Sequence, residues 1–169
     1  MHPDPDAFAA AIECPILRRL FAYWRDRAGG RAMPRRDEID PLDFPFAIGR
    51  VTLVEVAAPG RYRFRLWSEN NLHFTGVEMT GKWLDDYPEP ENRAMLARSY
   101  DELCATARPQ RRLRDLVIFG QRRSYEAVLM PLGQDGAVEM LLIGVTYCFD
   151  ETSAPTIRSG ITRAAGRVA

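Results

Sequence analysis

Lysine is almost missing from this chain: Lys82 is the single one, so nearly all of the 23 basic residues are arginine. They balance 23 acidic residues and leave a formal net charge of zero. A chain without net charge has no global attraction toward nucleic acid or an anionic membrane. Histidine is as scarce, with only His2 and His73. A Ser-His-Asp or Cys-His centre would have to be built on His73, and no nucleophile is paired with it by sequence. The three cysteines, Cys14, Cys104 and Cys148, are odd in number and scattered. Disulfide frameworks and zinc sites want even counts or close pairs, so these read as reduced, partly buried thiols. Long hydrophobic runs are missing too. The longest, Met140 to Phe149, is interrupted by Gly144 and Thr146. It has about half the length of a membrane-spanning helix and reads as a buried strand. Met1-His2-Pro3-Asp4-Pro5-Asp6 carries acids and prolines where a secretion signal carries basic and then apolar residues, which predicts a cytoplasmic protein. There is no G-x-S-x-G elbow, no phosphate loop and no H-E-x-x-H. The expectation is therefore a protein that is not an enzyme.

What is present is the balance of an ordinary globular domain: 169 residues, 46% hydrophobic and 27% charged. One core is expected, and no internal repeat is visible. Pro15 to Ala28 predicts a helix, with Leu17, Leu20, Phe21 and Trp24 on one face and Gly29-Gly30 at its end. Asp40-Pro41-Leu42-Asp43 looks like a short capped helix start. Val51 to Val56 is a β-prone run, followed by an Ala58-Pro59-Gly60 turn and by Tyr62, Phe64 and Leu66 alternating with Arg61, Arg63 and Arg65. Ser68 to Lys82 suits short helical turns, and Pro88 and Pro90 introduce a longer helix that Arg108-Pro109 ends. Arg112 to Phe119, Ser124 to Leu132 and Val138 to Phe149 read as three strands with short, antiparallel links. The order predicts an α+β fold, a five-stranded antiparallel sheet covered on one face by the central helices, with an N-terminal helix ahead of it. Residues 1–14 are expected to be a flexible start, 15–150 the domain, and 151–169 a flexible tail.

Tyr23-Trp24-Arg25, Pro34-Arg35-Arg36, Ile39-Asp40-Pro41, Arg63-Phe64-Arg65-Leu66, Gly76-x-x-x-Thr80-Gly81 and Glu126-x-x-Leu129-x-Pro131-Leu132 occur in that order over residues 12–149. In this the chain resembles a bacterial family of single-domain proteins of the PAS superfamily, PAS_5-like. The preference for arginine and alanine agrees with a GC-rich bacterial genome. One departure is Trp67-Ser68, where the family would have a small residue and glycine, so the pocket mouth is expected to be reshaped. The resemblance implies a sensory module that binds a small apolar or amphipathic molecule and, with no kinase or cyclase domain following, signals through contact with another protein. Flavin-binding relatives carry Asn-Cys-Arg after the second strand, where this chain has Asn70-Asn71-Leu72-His73. Haem-binding relatives place a histidine on the long helix, and Pro90 to Arg108 has none. No cofactor is expected, and the purified protein should be colourless.

The expected pocket lies between the sheet face bearing Phe64 and Leu66 and the helical middle bearing Met79, Trp83, Tyr87, Met95 and Tyr100, with Asn70, Asn71 and His73 as orienting polar groups. The alternative is a solid core made of the same residues, in a ligand-free interaction adaptor. A cone-shaped isomerase-like enzyme is disfavoured because a hairpin precedes the helices. Glu126 reads as an ion-pair or hydrogen-bond anchor rather than a general base. The Arg111, Arg112, Arg114, Arg122 and Arg123 cluster reads as a charged strand edge, not a nucleic-acid site. The Leu17, Leu20, Phe21, Trp24 stripe must be covered, either by a second copy in a homodimer or by the chain's own sheet.

Overall fold

The computed structural model describes residues 4–118 and 121–148. The tail expected at 151–169 lies outside the described residues. The chain runs α1 (Pro5–Ala11), α2 (Pro15–Ala28), three single 3-10 turns, β1 (Val51–Ala58), β2 (Arg61–Leu66), α3 (Glu69–Thr75), a 3-10 turn at Leu84–Asp86, α4 (Pro90–Thr106), β3 (Gln110–Ile118), β4 (Gln121–Gln134) and β5 (Ala137–Cys148). The five strands form one antiparallel sheet in the order β2-β1-β5-β4-β3. Gln134 and Ala137 close the β4–β5 hairpin across Asp135 and Gly136, both at positive φ (52° and 79°). That is the two-residue Asp-Gly turn whose twist suits adjoining antiparallel strands.

Both faces of this sheet are covered. Along β4, Val128, Met130 and Leu132 point into one apolar cluster while Ala127 and Leu129 point into another. β5 repeats the alternation, with Met140 and Leu142 against Leu141, Ile143 and Val145. A central strand buried on both sides has no polar face, which is why Met140 to Phe149 shows almost no alternation in sequence.

The first face carries α2. Pro15 occupies its first turn, Gly29 ends it in the left-handed conformation (φ 57°), and Leu17, Leu20, Phe21 and Trp24 are all buried. They pack on Val128, Met130, Leu132 and Leu142 of the chain's own sheet. The indole Nε1 of Trp24 also donates to the carbonyl of Pro131 at 2.9 Å. The helix comes so close to β5 that a Cβ on Gly144 would meet Leu17 and Leu20 side chains at 2.8 and 2.9 Å. The stripe weighed as a homodimer surface is thus consumed within one chain, because it meets an equally apolar sheet face; a second copy would need another surface. Residues 5–11, expected to be part of a flexible start, form α1, capped by the Asp4 side chain and held by Phe8 against Phe21 at 4.8 Å between ring centroids.

Candidate functional site

On the opposite face α3, Tyr87 and α4 close over the sheet and leave a cavity of about 70 Å³. Its sheet wall is Thr52 from β1, Arg112 from β3, Tyr125, Ala127 and Leu129 from β4, and Ile143, Val145 and Tyr147 from β5. Its roof is Trp67, Asn71, Thr75, Tyr87, Asn92, Met95, Leu96, Ser99 and Tyr100.

One end of the cavity is a closed hydrogen-bond network. Ser68 caps α3 by accepting from the Asn71 backbone N–H at 3.0 Å, which turns the Asn71 side chain inward. Asn71 Nδ2 then donates to Thr52 Oγ1 at 3.0 Å, and its Oδ1 accepts from the Tyr147 hydroxyl at 2.9 Å. Thr52 Oγ1 also accepts from the Ser68 backbone N–H at 3.1 Å, and Thr75 Oγ1 donates to the Asn71 carbonyl at 2.6 Å. Phe74 stacks on Tyr147 at 4.0 Å between centroids. These bonds fix α3 to the sheet.

The other end is different. Tyr87, Tyr100 and Ser99 are buried, yet among the described residues none of their hydroxyls has a hydrogen-bond partner. The same holds for the half-buried Tyr125. Burial pushes the Tyr87 phenol up to about 12, with the nearby charges of Glu89 and Tyr125 adding to it. Burial also raises Tyr100, with Tyr125 and Tyr87 adding to it. Burial raises Tyr125 as well, against the opposing pull of Arg114 and Arg112. All three therefore keep their protons at neutral pH and present hydroxyl donors. Trp67, 7% exposed, has a buried indole Nε1 with no acceptor among the described residues. Arg112 donates from Nη2 to Glu102 and to Gln110 at 2.7 and 2.5 Å, while its buried Nε has no partner there. Arg112 is the one charged residue in the cavity wall among the described residues.

Of the ten residues expected at the pocket, the structure brings Asn71, Tyr87, Met95 and Tyr100 to the cavity. Phe64 and Met79 are fully buried in the same apolar cluster, as packing beneath it. Leu66 leaves the face: a register shift pairs Val54 with Phe64 but Leu53 with Leu66, and this bulge turns Leu66 to the other side, 40% exposed. Asn70 is half-buried, its backbone N–H donating to the Gly49 carbonyl. His73 is exposed at the end of α3, edge-on to Phe74. Trp83 lies outside the cavity, with the Arg61 and Arg63 guanidinium groups 4.8 and 5.6 Å from its ring centre. Trp67, expected to reshape the pocket mouth, lines the cavity, whereas Thr52, Asn92, Ser99, Arg112, Tyr125 and Tyr147 were missed. A signal existed: Tyr125 keeps step with Ala127 and Leu129, Tyr147 with Val145 and Ile143, and Asn92 and Ser99 put polar groups into the buried stripe of α4.

A second, open hollow of about 320 Å³ lies on the far side of Trp67, which lines both. Ile48, Leu66 and Leu72, three exposed large apolar residues, line it.

Glu126 sits on the α2 face, fully buried, and is completely partnered. It accepts from the backbone N–H groups of Glu13 and Cys14 at 2.9 and 2.8 Å and from Arg111 Nε at 2.6 Å. Burial alone would raise its pKa, but Arg111 and the two N–H donors outweigh it and hold the carboxyl below its ordinary value. It anchors the α1–α2 junction to β4. Among the described residues no group of three or more His, Cys, Asp or Glu side chains could hold a metal ion, and no helix is long and apolar enough to cross a membrane.

A five-stranded antiparallel sheet in the order 2-1-5-4-3, with a run of short helices and one longer helix between its second and third strands, is the PAS arrangement. The chain belongs to the PAS domain family PAS_5, whose family model matches residues 12–147. No curated protein matches it. Among solved structures it is similar to the PAS domain of BvgS from Bordetella pertussis, with 20% identity over 61% of this chain and 79% of that one and a TM-score of 0.45. It is also similar to a fungal LOV domain photoreceptor, with 13% identity over 86% of this chain and all of that one, TM-score 0.48. The blue-light photoreceptor Aureochrome1 LOV domain gives 11% identity over 64% and 88%, TM-score 0.46.

Proposed function

We propose that this PAS domain is a sensory module, not an enzyme, that holds a small molecule in the cavity under α4 and passes on its occupancy through contact with another protein. The observation that carries this reading is the set of unpartnered groups at the cavity: the Tyr87, Tyr100, Ser99 and Tyr125 hydroxyls and the Trp67 indole N–H. An unsatisfied buried polar group costs about 1–3 kcal/mol. That cost falls on the Trp67 indole N–H and the Arg112 Nε, and hydroxyls at several neighbouring positions, where phenylalanine would serve a merely structural core, fit a site whose partners arrive with a ligand. Binding rather than catalysis is favoured because burial keeps the phenols protonated, and His73, the one histidine among the described residues, is exposed and away from the cavity.

Trp67 supports the output half of the reading. It is common to the inner cavity and the outer hollow, so a ligand that moves its ring on the inner side reshapes the outer side. The test is mass spectrometry of the purified protein after denaturation. A stoichiometric small molecule released from it is the expected result. Its absence, together with no binding by screened small molecules, would leave the ligand-free adaptor.

A further inference from the structure

We infer that the ligand of the cavity is a small carboxylate, a refinement that rests on the binding reading above. Size sets the first limit. A volume of about 70 Å³ is about half that of a cavity of about 150 Å³ that takes benzene, and hence suits a ligand of only a few heavy atoms. Sign of charge sets the second. Arg112 lines the wall with an unpartnered Nε, no acidic side chain lines it among the described residues, and nearby Glu89 and Glu102 are turned to Asn92 and Arg112 respectively. Glu102 balances the Arg112 guanidinium at 2.7 Å, so what the wall offers a ligand is the unpartnered Nε donor and, among the described residues, no carboxylate that would repel an acceptor. Donor count sets the third. A carboxylate offers about four acceptor sites and no donor when ionised. The unpartnered Tyr87, Tyr100 and Tyr125 hydroxyls, the Trp67 indole N–H and the Arg112 Nε are all donors, and charge-assisted bonds from them offset the desolvation of the anion. The remaining wall, Met95, Leu129, Ile143 and Val145, suits a short alkyl group.

The experiment is titration of the full chain with propionate and with propionamide, which has the same number of heavy atoms and no charge, followed by calorimetry and by thermal shift. The expected result is saturable binding of propionate with propionamide at least about tenfold weaker. Tyr100→Phe should weaken propionate several-fold and Arg112→Gln at least about tenfold, with the ligand-free melting of each variant recorded first. If Arg112→Gln melts early through loss of its Glu102 bond, Tyr100→Phe still decides. Equal binding of the two compounds, or propionate binding unaffected by Tyr100→Phe, would overturn the carboxylate assignment and leave the binding reading standing. If neither compound binds, a non-acidic molecule released on denaturation overturns the assignment alone, and release of nothing overturns both.

Discussion

The α2 face of the sheet and the Tyr87–Tyr100 end of the cavity on the other face treat polar groups in opposite ways. On the α2 face Glu126, the one buried charged residue among the described residues, has three donors within 2.9 Å. At that end of the α4-face cavity, tyrosine and serine hydroxyls and a buried indole N–H have no partners among the described residues. A satisfied buried group holds a fold together, whereas an unsatisfied one is kept for something the fold does not contain. The contrast separates an anchor from a site although both consist of polar residues on neighbouring strands.

The largest effect should come from breaking the anchor. Glu126→Ala leaves Arg111 and two backbone N–H groups without their acceptor, and should cost about 3–5 kcal/mol in urea unfolding. A loss below about 1 kcal/mol would show that the junction is held by other contacts. The same carboxylate sets an acid limit. Because its folded pKa lies below the ordinary value of about 4.3, its stabilisation is present in full above that value and is lost as pH falls from there through the lowered folded pKa. Glu126→Gln should flatten this acid slope, seen in melting temperature against pH.

Leu20→Ala opens a cavity between α2 and β5 and should cost about 2–5 kcal/mol without changing the oligomeric state seen by light scattering. A folded variant whose oligomeric state changes would return the stripe to an interface between copies.

The smallest effect belongs to the other face. Tyr100→Phe removes a hydroxyl that has no partner among the described residues, so stability without ligand should stay within about 1 kcal/mol or rise. A loss above about 2 kcal/mol would mean that the hydroxyl is bonded in the empty protein and that the contrast between the faces is false.

How far the sequence could be read follows from the same physics. α2 was legible to the residue because its stripe, its leading proline and its terminal glycine agree. The strands were legible where turns such as Asp135-Gly136 punctuate them. α1 was not: seven residues with one large apolar side chain carry no period, and its order comes from Phe8 meeting Phe21, a tertiary contact. Leu66 was misplaced because strict alternation hides a one-residue bulge, and whatever lies past a bulge changes face. Tyr87, Met95 and Tyr100 could be found from apolar spacing on the helical middle and Asn71 from the polar run ahead of it, but the polar wall comes from Thr52, Arg112, Tyr125 and Tyr147 on four different strands. Only the pairing of β1 with β5 and of β4 with β3 and β5 brings those together, and pairing partners are not written locally.

The claim that the α4 face holds a ligand site is tested most directly by measuring small-molecule retention in wild type and Met95→Trp side by side, after identical purification and denaturation. Met95 lines the cavity and is 8% exposed, so the larger ring fills the space a ligand would occupy. The account predicts a molecule released from the wild type and none from the variant, with the variant still folded. A variant that retains the same molecule would place the site elsewhere. A variant that melts markedly earlier, with no molecule released from either protein, would show that this face is a solid core.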